Sequence, residues 1–171
     1  MVGAVVLAAG AATRFGAPKQ RLLLPAVREG LSGLDQVVVV SGAHALEDAV
    51  PCPDWERGPG ASLRCGLAAL APGTEAAVVV LADGPDLAPA AVERVVAAWR
   101  ESGAPLVAAS YGGVRGHPVV VGRALWGDVP DEGLRALEPL LVPCDDLGAP
   151  GDVDYPSDLP ERFRSRSDEP M

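Results

Sequence analysis

Short runs of apolar residues constrain the fold of this chain more than any other feature. They lie at residues 2–8, 37–40, 76–82, 106–110 and 118–121. Because these runs do not alternate apolar with polar positions, they predict strands that are buried on both faces. Helical segments are predicted at residues 43–50, 62–70, 89–102 and 131–140. The alternation of strands and helices predicts an α/β fold, with three Rossmann-like layers around a mostly parallel sheet.

Length and charge narrow the possible classes further. The 171 residues fit one domain, which we assign to residues 1–160, and the polar residues 161–171 are predicted to be a disordered tail. Fourteen basic and 23 acidic residues give a formal net charge of -9. So acidic a surface repels nucleic acid and anionic membranes, and neither is an expected partner. The first apolar run is too short for a signal peptide or a membrane span, so a cytoplasmic location is expected.

The chain has three cysteines, Cys52, Cys65 and Cys144. Their number is odd and no two have C-x-x-C spacing, so neither a disulfide framework nor a zinc site is expected. We predict three buried, reduced thiols, which is the common state of cysteine in a protein core.

The segment after the first strand has the composition of a phosphate-binding loop. Its small residues would let the backbone approach a ligand closely, and Arg14 and Lys19 add two cations. It contains neither the G-x-x-x-x-G-K-[ST] nor the G-x-G-x-x-G pattern. A tight turn with two solvated cations is the alternative interpretation. Ligands of such sheets bind beyond the carboxyl ends of the strands. Residues 83–86 and 152–154 are therefore further candidates for the ligand-binding edge of the sheet.

Residues 7–19 read L-A-A-G-x-x-x-R-F-G-x-P-K, a string that resembles the nucleotide-binding signature of the molybdenum cofactor nucleotidyltransferase family. This family includes molybdenum cofactor cytidylyltransferases and molybdopterin guanylyltransferases, and has the nucleotide-diphospho-sugar transferase fold. Four further segments are similar to family motifs in the same order, at residues 58–67, 81–86, 116–118 and 152–159. The resemblance therefore spans nearly the whole chain.

The resemblance implies a role for each matching residue. The residues assigned to the nucleotide are Leu7, Ala8, Ala9, Gly10, Arg14, Lys19, Gly60, Ser62 and Arg64. Among these, Arg14 and Lys19 are the catalytic candidates, since they would neutralise charge on the phosphates. The candidate metal ligands are Asp83 and, from the last motif, Asp154 or Asp152.

The same resemblance places the acceptor near two other segments. His117, within Gly116-His117-Pro118, would contact the acceptor phosphate, and the stretch 133–135 matches the acceptor region. Three alternatives stay open from the residues alone: Ser62 as a helix cap, Asp83 as the cap of a turn, and His117 as a surface or hairpin residue.

The implied reaction transfers a nucleoside monophosphate from an NTP onto a phosphorylated acceptor, molybdopterin, and releases pyrophosphate with the help of Mg²⁺ or Mn²⁺. CTP is favoured over GTP, because guanylyltransferases tend to have a second glycine where this chain reads Ala8-Ala9-Gly10. A sugar phosphate or phosphonate acceptor is one alternative, and a non-catalytic nucleotide-binding module is another. The departures from the family are a shortened segment at 25–36, Gly84 and Tyr155. A monomer or a homodimer is expected.

Overall fold

The computed structural model describes residues 1–9, 19–153 and 155–167. The first half of the chain forms β1 (Val2–Ala8), α1 (Lys19–Gly30), β2 (Gln36–Ser41), β3 (Val50–Pro51), α2 (Pro59–Ala69) and β4 (Ala76–Leu81). The second half forms α3 (Pro89–Ser102), β5 (Leu106–Tyr111), β6 (Val114–Gly122), β7 (Leu140–Pro143) and α4 (Glu161–Ser167). Several short 3₁₀ turns connect these elements.

Within the described residues, seven strands form one sheet in the order β3-β2-β1-β4-β6-β5-β7. All neighbouring strands are parallel except β6, which runs antiparallel to both β4 and β5. The predicted α/β class with a mostly parallel sheet is confirmed.

Helices cover both faces of the sheet, and the side chains of β1 show how. Val6 packs in one apolar cluster with residues of α1 and α3, while its neighbour Val5 packs in a second cluster with Leu63 and Leu67 of α2. Successive side chains of a strand point to opposite faces, so an unbroken run of apolar residues supplies both layers at once.

The strand order creates a crevice beside β1. The chain passes from β1 to β2 on one side and returns to β4 on the other. In open α/β sheets, ligands bind outside the carboxyl ends of the strands at such a switch point. The loops that follow Ala8 and Leu81 therefore flank the expected binding crevice.

Two predicted helices are wrong. Residues 43–50 contain no helix, because β3 pairs with β2 at Val40 and Val50 and the chain between them must turn back. Of residues 131–140, only Leu134–Ala136 form a 3₁₀ turn, and Leu140 already belongs to β7. Besides its own turn hydrogen bonds, the main chain around this turn accepts hydrogen bonds from the Arg115 side chain.

Helix α2 begins earlier than predicted, and two further helices were not predicted. Helix α2 begins at Pro59 with Gly58 as its cap, so Ser62 is not a cap but a buried residue of the helix. Helix α1 was not predicted, and Pro25 lies inside it. Residues 161–167, which the sequence predicted to be disordered, form α4 because Phe163 packs against Leu23 of α1.

The prediction of three reduced thiols is also wrong for two cysteines. Cys52 and Cys65 form a disulfide, with their Cα atoms 6.0 Å apart, because α2 brings Cys65 over the loop that contains Cys52. Cys144 is buried and free, as predicted. No helix in the described part of the chain has both the length and the apolar character needed to cross a lipid bilayer.

Candidate functional site

The carboxyl ends of β1 and β4 meet in the middle of the sheet. Leu7 lies opposite Leu81 in the parallel register, and the Ala82 amide donates a hydrogen bond to the Leu7 carbonyl at 3.1 Å. Ala8 and Ala9 follow at once and are buried. This pairing brings the predicted base-binding residues 7–9 next to the loop that contains Asp83.

Part of the predicted site lies outside the described residues. Gly10, Arg14 and Asp154 belong to this part, and so does the side chain of Lys19, whose backbone opens α1. The expected convergence of two cations with the carboxylates therefore stays a prediction.

A first cavity of about 360 Å³ lies on the α2 side of this crevice. Its apolar walls come from the strands, from the start of α2 and from Leu134. The residues that line it are Leu7, Pro59, Leu63, Val79, Leu81, Arg115, Gly116, His117, Val119, Glu132, Gly133, Leu134 and Arg135. The two segments that the sequence assigned to the acceptor, 116–118 and 133–135, thus contribute to one cavity.

A second cavity of about 480 Å³ opens on the other face of the sheet. It shares four residues with the first, Leu81, Arg115, Gly116 and His117. Gly84 and Asp152 also line it. His117 of β6 therefore lies between two spaces that both reach the carboxyl end of β4.

Backbone hydrogen bonds hold the candidate metal ligands Asp83 and Asp152 on adjoining segments. The Val153 amide donates to the Asp83 carbonyl at 3.1 Å, and the Asp86 amide donates to the Pro150 carbonyl at 2.9 Å. The Oδ1 atom of Asp83 is buried, whereas Asp152 is exposed. Carboxylate oxygens are the ligands that Mg²⁺ and Mn²⁺ prefer, so each of these residues could supply a ligand to a divalent cation.

The described residues supply no more than such a pair. Among them, no three His, Cys, Asp or Glu side chains are grouped closely enough to hold a metal ion. A cation with two carboxylate ligands keeps positions open for phosphate oxygens and water, which is the usual arrangement for Mg²⁺ at a nucleotide.

His117 is electrically neutral where the two cavities meet. Burial, and secondly the charge of Arg115, lower the pKa of His117 to about 4. The Tyr111 hydroxyl donates to the His117 carbonyl at 2.7 Å, and burial raises the pKa of Tyr111 to about 12. At neutral pH, His117 can therefore offer a ligand a neutral hydrogen bond but no positive charge.

Gly60, Ser62 and Arg64 are held in contacts within the protein. The Gly60 amide donates to the Asp131 carbonyl at 2.9 Å, and Arg64 donates to the Asp131 carboxylate at 2.5 Å. Ser62 is buried, and none of the three lines either cavity. Their predicted contacts with a nucleotide stay predictions.

The sequence interpretation missed Arg57, Arg115 and Asp131. The sequence predicts a helix that begins at Asp131, but Asp131 instead accepts hydrogen bonds from Arg57 and Arg64. Arg115 lines both cavities and donates to two carbonyls of the loop that follows Asp131. No local pattern indicates these pairs, because their partners are far apart in the sequence.

Comparison with known proteins gives a consistent picture. The model of the MobA-like NTP transferase domain family matches residues 4–139. A crystal structure of a homologue of Mycobacterium tuberculosis Rv0371c, from Mycobacterium sp. strain JC1, is 28% identical with a TM-score of 0.76, over 96% of each chain. No curated protein sequence matches the chain significantly.

Two more distant structures share the fold. Rv0371c of M. tuberculosis H37Rv in complex with manganese is 22% identical, with a TM-score of 0.63 over 96% of each chain. Molybdopterin-guanine dinucleotide biosynthesis protein A of Archaeoglobus fulgidus is 16% identical, with a TM-score of 0.66 over 99% of this chain and 100% of the other.

Proposed function

We propose a reaction for this chain from one established premise: the chain belongs to the MobA-like NTP transferase family. It is thus a nucleotidyltransferase by family, and its substrates are our inference. The donor we propose is an NTP, with CTP favoured, and the acceptor is molybdopterin. The products are the nucleotide-linked cofactor and pyrophosphate. We expect the protein to act in the cytoplasm as a monomer or homodimer.

One observation carries this proposal. The first cavity joins both acceptor segments, through His117 and Arg135, and it ends at Leu81, two residues before Asp83. An acceptor in this cavity would have its phosphate near the loop that contains Asp83. The apolar walls favour an acceptor with a planar ring over a sugar phosphate, whose hydroxyls would lose their hydrogen bonds to water there.

The side chains suit phosphoryl transfer without a general base. The attacking oxygen belongs to a phosphate that is already ionised at pH 7, so neutral His117 need not remove a proton. Arg135 lies exposed at the rim of the first cavity, and it makes no hydrogen bond or ion pair within the described part of the chain. It is therefore available to an acceptor phosphate. Positioning and charge neutralisation would account for the rate.

A divalent cation completes this scheme. Asp83, together with Asp152 or Asp154, would hold Mg²⁺ or Mn²⁺, and the manganese complex of Rv0371c supports such a metal. When bound, the cation would neutralise charge on the phosphate oxygens. Arg14 and Lys19 would bind the triphosphate from the opposite side of the crevice, as the family signature implies.

The test is release of pyrophosphate by purified protein given molybdopterin, each of the four NTPs and Mg²⁺ or Mn²⁺. We expect CTP to react fastest. Asp83→Asn should lower turnover at least about 10²-fold by loss of a charge-stabilising contact. Asp86→Asn is the matched control, because Asp86 lies in the same loop but pairs with Arg162 at the surface.

Each result separates the candidates. Unchanged turnover in Asp83→Asn would end the assignment of Asp83. Reaction with a sugar phosphate but not with molybdopterin would replace the acceptor. Binding of an NTP without pyrophosphate release from any acceptor would favour the non-catalytic nucleotide-binding module.

A further inference from the structure

The loop of residues 129–137, which we name the anchored loop, forms part of the wall of the first cavity. Glu132, Gly133, Leu134 and Arg135 line the cavity, whereas Asp131 is not among the lining residues. The loop has little regular structure of its own, only the 3₁₀ turn Leu134–Ala136. Its position must therefore come from contacts with the rest of the protein.

Asp131 makes most of the contacts at the first end of this loop. Its Oδ1 accepts from Arg64 at 2.5 Å, and its Oδ2 accepts from Arg57 at 3.2 Å. Its carbonyl accepts from the Gly60 amide at 2.9 Å, and Arg64 donates its other nitrogen to the Val129 carbonyl at 2.7 Å. Both carboxylate oxygens and the main chain of one residue thus bind α2 and the 3₁₀ turn just before it.

Arg115 holds the other end of the loop. It donates to the Leu137 carbonyl at 2.7 Å and to the Leu134 carbonyl at 3.0 Å. Because Arg115 also lines both cavities, it ties the loop to the opposite wall. The loop is fixed at two points, and Asp131 is the acidic group at one of them.

Two glycines make the close approach of the loop possible. A Cβ atom at Gly60 would collide with the Pro130 carbonyl, and one at Gly58 would collide with the Asp131 carbonyl. Gly58 also has a φ of 134°, which side chains rarely allow. The backbones therefore touch directly, so a small shift at Asp131 is transmitted to the cavity wall.

The carboxylate of Asp131 is charged at neutral pH, as this arrangement requires. The hydrogen bond from Arg64 lowers the pKa of Asp131, and the charge of Arg57 acts in the same direction. Hydrogen bonds between ionised partners are shorter and stronger than neutral ones.

We propose that Asp131 is a positioning residue, which holds the anchored loop against the start of α2 and so sets the affinity of the first cavity for the acceptor. It acts through the loop and touches no reacting atom. The identity of the acceptor rests on the proposed function, but the inference that Asp131 fixes the position of the cavity wall does not.

The experiment compares Asp131→Asn with the wild type and with Asp128→Asn. Asp128 is exposed and has no hydrogen bond or ion pair among the described residues, so it matches the change in charge. Hydrogen exchange would follow four amides whose hydrogen bonds depend on the loop: Gly60, Gly133, Ala136 and Leu137. Molybdopterin and CTP binding, KM and kcat would be measured on the same proteins, together with thermal unfolding.

We expect Asp131→Asn to speed exchange at these amides and to weaken molybdopterin binding about five- to twentyfold, because the cavity wall loses its fixed position. KM for molybdopterin should rise with it, while kcat and CTP affinity stay within about twofold. Asp131→Glu, which keeps the charge, should restore part of the affinity. Asp128→Asn should resemble the wild type.

Two results would overturn the inference. The first is unchanged exchange at the four amides in Asp131→Asn. The second is a lower stability with no selective rise in KM for the acceptor, which is what a merely structural role would give. If the wild type binds no molybdopterin, the proposed acceptor fails, but the exchange data still decide whether Asp131 positions the loop.

Discussion

Helix α4 offers a test of how a distant apolar contact supports the proposed metal ligands. Phe163 is 5% exposed and is the buried residue by which α4 packs on Leu23, Leu159 and Val153. Val153 in turn donates its amide to the Asp83 carbonyl at 3.1 Å. Phe163→Ala should therefore loosen the last segment of the chain and, through Val153, the pairing of that segment with Asp83.

The size of this effect can be worked out. Truncating a buried Phe to Ala costs roughly 3–5 kcal/mol, and we take about 3 because a helix near a chain end relaxes easily. A loss of about 3 kcal/mol lowers the docking equilibrium about 150-fold. If residues 150–167 are docked about 99% of the time in the wild type, they would be docked about 40% of the time in Phe163→Ala. The apparent Kd of a metal that binds only when these residues are docked would then rise two- to threefold.

The assay is Mn²⁺ binding by electron paramagnetic resonance, with hydrogen exchange to confirm that residues 150–167 have loosened. Val96→Ala is the control, because Val96 is buried in α3, away from this segment, and its truncation costs about 2 kcal/mol. Wild-type Mn²⁺ affinity in a Phe163→Ala protein with a loosened segment would refute the coupling. Equal weakening in Val96→Ala would mean that general destabilisation is the cause.

Two further predictions concern the first cavity. Because burial lowers the pKa of His117 from 6.5 to about 4, the unfolded chain binds the extra proton first. The stability of the folded state that depends on neutral His117 is complete above pH 6.5 and is lost as the pH falls toward 4. Urea unfolding at pH 7 and pH 4.5 should show the wild type losing on the order of 2–3 kcal/mol more than His117→Gln, and equal losses would contradict this. Gly60→Ala should lower the stability of the fold by about 1–3 kcal/mol, because the new methyl group would overpack against Pro130. Thermal unfolding should show a lower Tm for Gly60→Ala but not for the control Gly127→Ala, whose Cβ would meet no atom within 4 Å. A Tm unchanged by Gly60→Ala would refute this packing.

The sheet could be predicted because each strand is encoded locally. Unbroken apolar runs such as Val37–Val40 have few other ways to bury their side chains. Helix α1 was missed for the opposite reason, since Pro25 and three consecutive leucines conceal its period. Helix α4 was missed because only Phe163 marks it as apolar.

Some residues of the candidate site could likewise be predicted from the sequence, and others could not. The resemblance to the family was enough to associate His117 with Arg135, and the structure places both in one cavity. The anchoring of that cavity could not be predicted, because Asp131 meets Arg57 and Arg64 across more than 60 positions of sequence. The disulfide is a further case, since Cys52 and Cys65 become neighbours only when α2 folds over the loop.

The cationic side chains around the two cavities bear on how the charge of a bound triphosphate could be neutralised. Of the cationic side chains that line the two cavities, Arg115 is bonded to carbonyls of the anchored loop, while Arg135 has no partner within the described residues. His117 is neutral, and Arg57 and Arg64 are paired with Asp131. In a protein with a net charge of -9, a bound triphosphate would find little positive charge on these walls. We propose that Arg14, Lys19 and the divalent cation balance its charge, and we therefore expect NTP affinity to depend steeply on that cation.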